Sequence, residues 1–411
     1  MTEPDKPAPQ LKRAIGLPLL IFYGVGTIVG GGFYALTGKV AGEAGMLAPF
    51  AFGLSALIAL ITAFSFAELS ARFPVSAGEA RYVRQAFGRK WISRLVGWLV
   101  IMTGMVSAAA LANAFAGFMN ELVEFPRWMT ILALVAGLGL IAAWGIGESV
   151  VLAMVITIIE LSGLAFVFVY ASPALATIGV RWGELIPGWD LSHWTGILMG
   201  AYLGFYSFIG FEDMVNVAEE VKHPTRNLPR AILTCVIVTG LIYFLVCLAV
   251  VLSVPPKQLA ASDSPFSVVL AAWPEAARGL AVVGMLAGIN GALIQIIMAS
   301  RVAYGLSDAG QGPAWLGKIQ RRRKTPVNAT LMVTTCVLVL ALWLPIVTLA
   351  KVTTTILLVV FTLVNVALVV IKIRHVALPE GCPNYPILLP VLGSLACAGF
   401  VLLNFISLML T

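Results

Sequence analysis

Apolar stretches long enough to cross a bilayer recur along the whole of this sequence, and they leave few folds open. A helix rises about 1.5 Å per residue, so about 20 apolar residues span a hydrocarbon core. Stretches of that order fall near 15–36, 46–68, 95–119, 129–145, 149–171, 194–218, 231–254, 277–305, 328–347, 352–372 and 387–409. Hydrophobic residues make up 60% of the chain and charged ones 11%, and the mean hydropathy is +0.97. That is beyond the range of a water-soluble domain. Backbone in lipid must satisfy its own hydrogen bonds, and segments of this length do so as helices. The expectation is an all-α, polytopic membrane protein of about eleven transmembrane helices. Polar, Pro-rich residues precede Ile15 without a cleavable signal pattern, so the first span is expected to be retained.

Charge in the connections sets the orientation. With the N-terminus inside, 20 of the 26 Lys and Arg residues lie in cytoplasmic segments and 6 on the opposite side. The positive-inside rule therefore places the N-terminus in the cytoplasm of a cell-membrane protein, and eleven spans place the C-terminus outside. The formal charge of +7 follows from the same bias. The run Arg321-Arg322-Arg323-Lys324 reads as a topology signal beside anionic headgroups, with membrane lipid rather than nucleic acid as its partner. The five cysteines are scattered and show neither metal-site spacing nor a disulfide framework. His193, His223 and His375 all fall in connections, so no metal or other cofactor is expected within the membrane.

Two spans carry features that lipid-facing helices do not need. The first holds five glycines in nine residues, from Gly24 to Gly32. Gly weakens a helix, and broken backbone at that depth is tolerated only where protein or a cavity covers the freed N–H and C=O groups. A close helix contact of the small-residue type is the simpler alternative, and Gly26 to Gly30 has the spacing for it. The sixth stretch repeats the pattern: Tyr202 to Phe211 crowds aromatics around Gly204 and Gly210, and Glu212 and Asp213 follow at once. On an α-helix, Glu212, Asn216 and Glu219 would form one polar stripe that must face protein or water.

Further polar groups sit within or at the ends of spans. Glu160 lies at the centre of 149–171, roughly 16 Å from either end at the helical rise. A carboxyl there costs several kcal/mol unless it is paired, protonated or facing water. It reads as a coupling group, or as a neutral hydrogen-bonded tie between helices. Asn290, Gln295 and Ser300 suit a bundle interior or a cavity lining. Glu68 and Arg72 are four apart at a helix end, an interfacial ion pair or a cytoplasmic gate. Ser76 to Arg94 reads as an amphipathic connector at the inner surface.

Interrupted helices head segments one to five and six to ten. An odd number per half inverts the second half, the inverted-repeat plan of secondary transporters, with the site at the paired breaks. The expected organisation is a tail at 1–14, a core at 15–372 with halves near 15–171 and 194–372, and a last connection and span at 373–411.

Motifs at these positions resemble a known family. Gly26-Thr27-Ile28-Val29-Gly30-Gly31-Gly32-Phe33 is similar to the first-helix signature of the amino acid–polyamine–organocation superfamily of permeases. Phe208-Ile209-Gly210-Phe211-Glu212-Asp213-Met214-Val215-Asn216-Val217-Ala218-Glu219-Glu220-Val221-Lys222-His223-Pro224, followed by Arg226-Asn227-Leu228-Pro229-Arg230, resembles its sixth-helix signature. Ala67 to Pro74 and Ser300 to Leu306 also fit, so the resemblance covers nearly the whole chain, nearest to bacterial relatives of the cationic amino acid transporters.

The resemblance implies an inverted five-plus-five core with discontinuous helices 1 and 6, working by alternating access. A substrate carboxylate would meet the N–H groups of Gly30, Gly31 and Gly32, where a half-helix N-terminus suits an anion. The α-ammonium would meet carbonyls near Ile28 and Phe208–Ile209, with Tyr206 as an aromatic gate. Glu160 and Glu212 are the candidate proton carriers, H+ being the coupling ion that the reading favours. Relatives typically have twelve spans, against eleven read here. Some carry a lysine in the fifth span where Glu160 stands, and others an acid in the third span that this chain lacks. The function read from the sequence is a secondary active amino acid permease, proton-coupled or an exchanger, and not an enzyme. A polyamine or amine carrier is the alternative, and a non-transporting nutrient sensor a more distant one.

Overall fold

A computed structural model describes residues 13–75, 78–144, 150–320 and 325–410. The basic run 321–324 and nearly all of the expected N-terminal tail lie outside these residues. The described residues are helical, with a single isolated bridge between Ile15 and Val221 and no sheet.

The first half contains α1 (Leu17–Ile28), α2 (Gly31–Ala44), α3 (Ala48–Arg72), α4 (Gly78–Phe87), α5 (Lys90–Leu122), α6 (Arg127–Trp144) and α7 (Val150–Ala171). A short helix α8 (Ile178–Leu185) leads to α9 (Leu191–Gly204), whose line continues through 3-10 turns at Phe205–Phe208 and Glu212–Glu220. Then come α10 (Pro224–Ser253), the short α11 (Pro256–Ala261) and α12 (Pro265–Val269), and α13 (Pro274–Asp308). The chain closes with α14 (Val327–Trp343), α15 (Ile346–Ile373) and α16 (Leu388–Leu410).

Nine helical stretches among the described residues are long and apolar enough to cross a membrane, fewer than the eleven read from the sequence. The difference has a physical cause. The first expected span is divided at Val29–Gly30 into α1 and α2, and α2 runs almost without interruption into α3. Another, α14, is a shorter apolar helix of 17 residues. The expected connector is a real helix, α4, with Glu79, Tyr82, Val83 and Ala86 on its buried face. The short helices α8, α11 and α12 were not foreseen, being too brief to carry a periodic signal.

Small residues set the packing at the centre. Helix α5 is buried almost all round from Val106 to Phe118, a stretch dominated by Ala. It lies against α13 closely enough that a Cβ on Gly104 would sit 3.0 Å from Ala299 Cβ, and one on Gly284 would sit 2.9 Å from the Phe118 ring. Without a hydrophobic drive between helices in lipid, such close approach maximises dispersion contact. Aromatic rings bind α2 to α10: Phe33 stacks on Tyr243 with centroids 3.8 Å apart and planes 5° from parallel. Phe52, Phe208 and Phe266 close around this pair.

At the face carrying most basic residues, Glu68 is wholly buried and accepts from Arg72 at 2.7 Å and from Lys372 at 2.6 Å. The backbone N–H of Tyr385 donates to its other oxygen at 3.0 Å. The pair read from the sequence is therefore a three-element clamp that joins α3, α15 and the approach to α16.

Candidate functional site

The two helix breaks meet. Gly30 is the N-cap of α2 in extended conformation, with no side chain capping the helix. The first N–H groups of α2 therefore open at the break, as the geometry of any helix N-terminus requires. Opposite lies the turn 209–211, where Gly210 has φ +124°. That conformation is nearly confined to glycine, and a Cβ there would also lie 2.3 Å from Thr27 O. The Thr27 hydroxyl bonds to Gly24 O at 2.9 Å and to Gly210 O at 3.1 Å. Glu212 turns back so that Oε2 accepts the Gly210 N–H at 2.9 Å.

Tyr243 serves both breaks. Its hydroxyl lies 2.9 Å from Ile28 O and 3.1 Å from Ser207 O, carbonyls at the ends of the two interrupted segments. One O–H thus spans two carbonyls freed by the breaks, adding to the Gly30 N–H at Ile28 O and supplying a donor to Ser207 O. Nothing in the sequence marked this residue, since a lone tyrosine in an apolar span reads as packing.

Between the breaks lies a cavity of about 40 Å³. Of the residues expected to bind substrate, Ile28, Gly30, Gly31, Gly32, Tyr206 and Ile209 line it. Phe208 does not, and its ring packs on Tyr243 instead, with centroids 5.2 Å apart. Nor is every expected donor open, because the Gly30 N–H bonds to Ile28 O at 2.9 Å. That bond and Tyr243 together engage the Ile28 carbonyl. Tyr206 stands over the cavity, with its ring 3.0 Å from the place a Cβ on Gly32 would take. Its hydroxyl meets both Oγ and the backbone oxygen of Ser107 at 3.1 Å.

The carboxyl residues divide in an unexpected way. Glu160 lines the cavity, fully buried, and neither carboxyl oxygen has a hydrogen-bond partner among the described residues. Its backbone oxygen accepts from Tyr34 at 2.6 Å. Gly26 lets α7 come this close, since a Cβ there would fall 1.8 Å from Thr157 Oγ1. Glu212, the other expected carrier, is absent from the lining and acts as the cap described above; its neighbour Asp213 lines the cavity instead. Asn290 and Gln295 line it too, as their polarity within a span had indicated. The swap follows from backbone geometry. Residues 212–220 form 3-10 turns, in which Glu212, Asp213, Met214, Val215 and Ala218 are buried. The stripe through Asn216 and Glu219 assumed 3.6 per turn, and both of these are only partly buried.

The side away from the basic face is closed over α2. Lys39 donates to Ala260 O at 2.8 Å and pairs with Asp263 at 3.5 Å. Arg127 meets the second Asp263 oxygen at 3.1 Å. A Cβ on Gly38 would lie 2.2 Å from Leu259 O, so α11 rests directly on the outer end of α2. No group of side chains that could hold a metal ion occurs among the described residues.

Breaks that face each other across a small polar-lined cavity match the family resemblance carried by Gly26–Phe33 and Phe208–Pro224. The amino acid permease family model matches residues 15–409. The chain belongs to this family of amino acid permeases, in the amino acid–polyamine–organocation superfamily. Among its relatives is the branched-chain amino acid permease BcaP of Bacillus subtilis, 28% identical over 96% of this chain and 88% of that protein. The mitochondrial cationic amino acid transporter 3 of Arabidopsis thaliana is 27% identical over 91% of this permease, which spans 64% of the plant protein. The methylthioribose transporter of Bacillus subtilis is 24% identical over 95% of this chain and 88% of its own length.

Proposed function

We propose that this permease is a secondary active amino acid transporter of the cytoplasmic membrane, with its N-terminus inside, working by alternating access with coupling to protons. The observation that carries the reading is the uncapped N-terminus of α2, opening beside Gly30 into a cavity shared with the second break. An amino acid needs both of its charges met in a dry site. The N–H groups of Gly31 and Gly32 suit the carboxylate, through unpaired donors and the positive end of the helix dipole. The ammonium would take the 207–210 side, where backbone oxygens and Asp213 lie. Breaks placed at the heads of two five-helix halves favour the inverted repeat.

Glu160 is the preferred proton carrier. An ionised carboxylate with unpartnered oxygens at that depth costs several kcal/mol, and protonation removes the cost. Opening the bundle to water restores hydration to the charged form, which links proton release to the side that is open. Glu160→Gln keeps the shape and should preserve exchange of substrate while abolishing the response of net uptake to an imposed pH gradient. If Glu160→Gln stays coupled while Glu212→Gln does not, the role passes to Glu212.

A polyamine or amine carrier is the second reading, favoured by two carboxyl side chains, Glu160 and Asp213, in the lining. Purified protein in liposomes, offered labelled amino acids in competition with putrescine, separates the two. Amino acid uptake resistant to excess putrescine supports the permease reading, and equal competition supports the amine carrier. The names of the relatives make branched-chain and basic side chains the first to try.

A further inference from the structure

Helix α4 lies outside the membrane-spanning helices, at the face that the charge bias assigns to the cytoplasm, yet its Glu79 is only 5% exposed. It is seated on the inner half of the second broken helix, where a Cβ on Gly78 would fall 2.4 Å from Val215 Cγ2. There Glu79 interacts electrostatically with Asp213 and Glu212. On the far side, Asp213 reaches the cavity and accepts from Gln295 Nε2 at 3.3 Å. Two buried polar atoms along this file have no hydrogen-bond partner among the described residues: Gln295 Oε1 at the cavity end, and the Tyr82 hydroxyl beside Glu79. Gln295 is itself 6% exposed. A protonated water entering the cavity would find an unused acceptor there, next to a carboxylate.

We propose that Asp213 and Glu79 form an inward proton path from the cavity to the cytoplasmic face, with Gln295 positioning Asp213. The proposal rests on the proton-coupled reading above. The proton that Glu160 gives up to cavity water passes as hydronium to the Asp213 carboxylate, leaving water. The proton passes to the Glu79 carboxylate, restoring Asp213 to its charged form. Glu79 then releases it to water at the inner surface, so one proton crosses and no group is altered.

Burial, and then repulsion from Asp213, push the Glu79 carboxyl up to about 7, against the lowering effect of its own backbone N–H. It can thus take and release a proton near neutral pH. Tyr82 faces it from α4, and Asp213 and Glu212 face it from the 212–220 turns. Helix α5 presents Ser93, whose hydroxyl bonds Ala80 O, with Lys90 and Arg94 on either side in sequence. From the end of α15, Arg374 donates to Ala86 O, and Lys372 is committed to Glu68. None of these cations forms an ion pair with Glu79 among the described residues.

The test uses the full chain in liposomes, with a radiolabelled mixture of the standard amino acids as probe. Uptake driven by an imposed pH gradient is compared with exchange at equal pH, which needs no net proton movement. Glu79→Gln should keep exchange near the wild-type rate and lose gradient-driven uptake at least tenfold. Glu79→Asp retains a titrating group and should stay coupled, with the inflection of its pH profile displaced. Wild-type uptake indifferent to the gradient would overturn the proton-coupled reading and the path with it. Coupled wild type with an equally coupled Glu79→Gln overturns the path alone. Should Glu79→Gln lose exchange as well, Glu79→Asp decides: a wild-type pH profile in that variant overturns the path.

Discussion

Gly30 separates the substrate site from the fold more cleanly than its neighbours do. A Cβ added at Gly31 would lie 3.1 Å from Leu111 Cδ2 and 3.2 Å from Gly288 Cα, so a larger side chain there must push α2 away from α5 and α13. At Gly32 the same atom would lie 3.0 Å from the Tyr206 ring. At Gly30 it would meet nothing within 4 Å, and φ is −126°, which any residue adopts. Gly30 also lines the cavity, so its added atoms enter that space. The three carbons of a valine side chain would then occupy room that a carboxylate needs beside Gly31 and Gly32. Losing a Gly N-cap costs the fold on the order of 0.5–1 kcal/mol. Exclusion of the carboxylate should cost more than about 1.4 kcal/mol of binding, a tenfold loss of affinity. Gly30→Val is therefore expected to be inserted and to melt within a few degrees of wild type, with substrate binding in detergent weakened tenfold or more. Wild-type affinity in a folded Gly30→Val protein would refute the placement of substrate at the α2 N-terminus.

Other substitutions probe the supports of the site. Tyr243→Phe keeps the stack on Phe33 and removes only the hydroxyl over Ile28 O and Ser207 O; about 1–3 kcal/mol should be lost, read as a lower melting temperature. Gly210→Ala forces a non-glycine residue into φ +124° with Cβ 2.3 Å from Thr27 O; transport should fall to background, and near-normal activity would show that the turn tolerates rearrangement. Glu68→Gln leaves Arg72 and Lys372 buried without their counter-charge. That should cost about 3–5 kcal/mol and appear as low yield of folded protein, whereas removing the exposed Glu275 of the Arg278 pair should change little.

Much of this was legible in the residues for stated reasons. Glycines clustered within two spans pointed to the breaks, although close helix packing was open to the same residues and Gly26 does serve it against Thr157. The place of Glu160 midway along a helix followed from counting residues, and the structure puts it in the cavity lining. Other features depended on geometry that a periodicity cannot carry. Asp213 and Glu212 are adjacent carboxyl residues, and only the folded turn at 209–213 shows that Asp213 faces the cavity while Glu212 accepts the Gly210 N–H. Tyr243 became visible only when α10 packed beside α1, which put one hydroxyl over two carbonyls distant in sequence. Glu79 sits on a connector that reads as amphipathic, and only its seating against Val215 shows that this carboxyl falls on the buried face.

The contacts at the breaks also constrain how the site can open. Thr27 bonds to Gly210 O, Tyr243 reaches both Ile28 O and Ser207 O, and Phe33 is stacked on Tyr243. Parting α1 from the second break would strip donors from several buried carbonyls at once, each loss costing about 1–3 kcal/mol. Across the cavity the ties are fewer. Tyr206 meets Ser107 through its hydroxyl, Gln295 of α13 donates to Asp213 at 3.3 Å, and Gly31 meets Gly288 and Leu111 by van der Waals contact alone. A motion that carries α1, α2, the 205–220 segment and α10 together, sliding past α5 and α13, gives up the least. On the side away from the basic face that motion must release Asp263 from Lys39 and Arg127, pairs exposed enough for water to replace them at little cost. The rigid part of the site is thus the pair of breaks, and the yielding part is the seam of small residues that faces it.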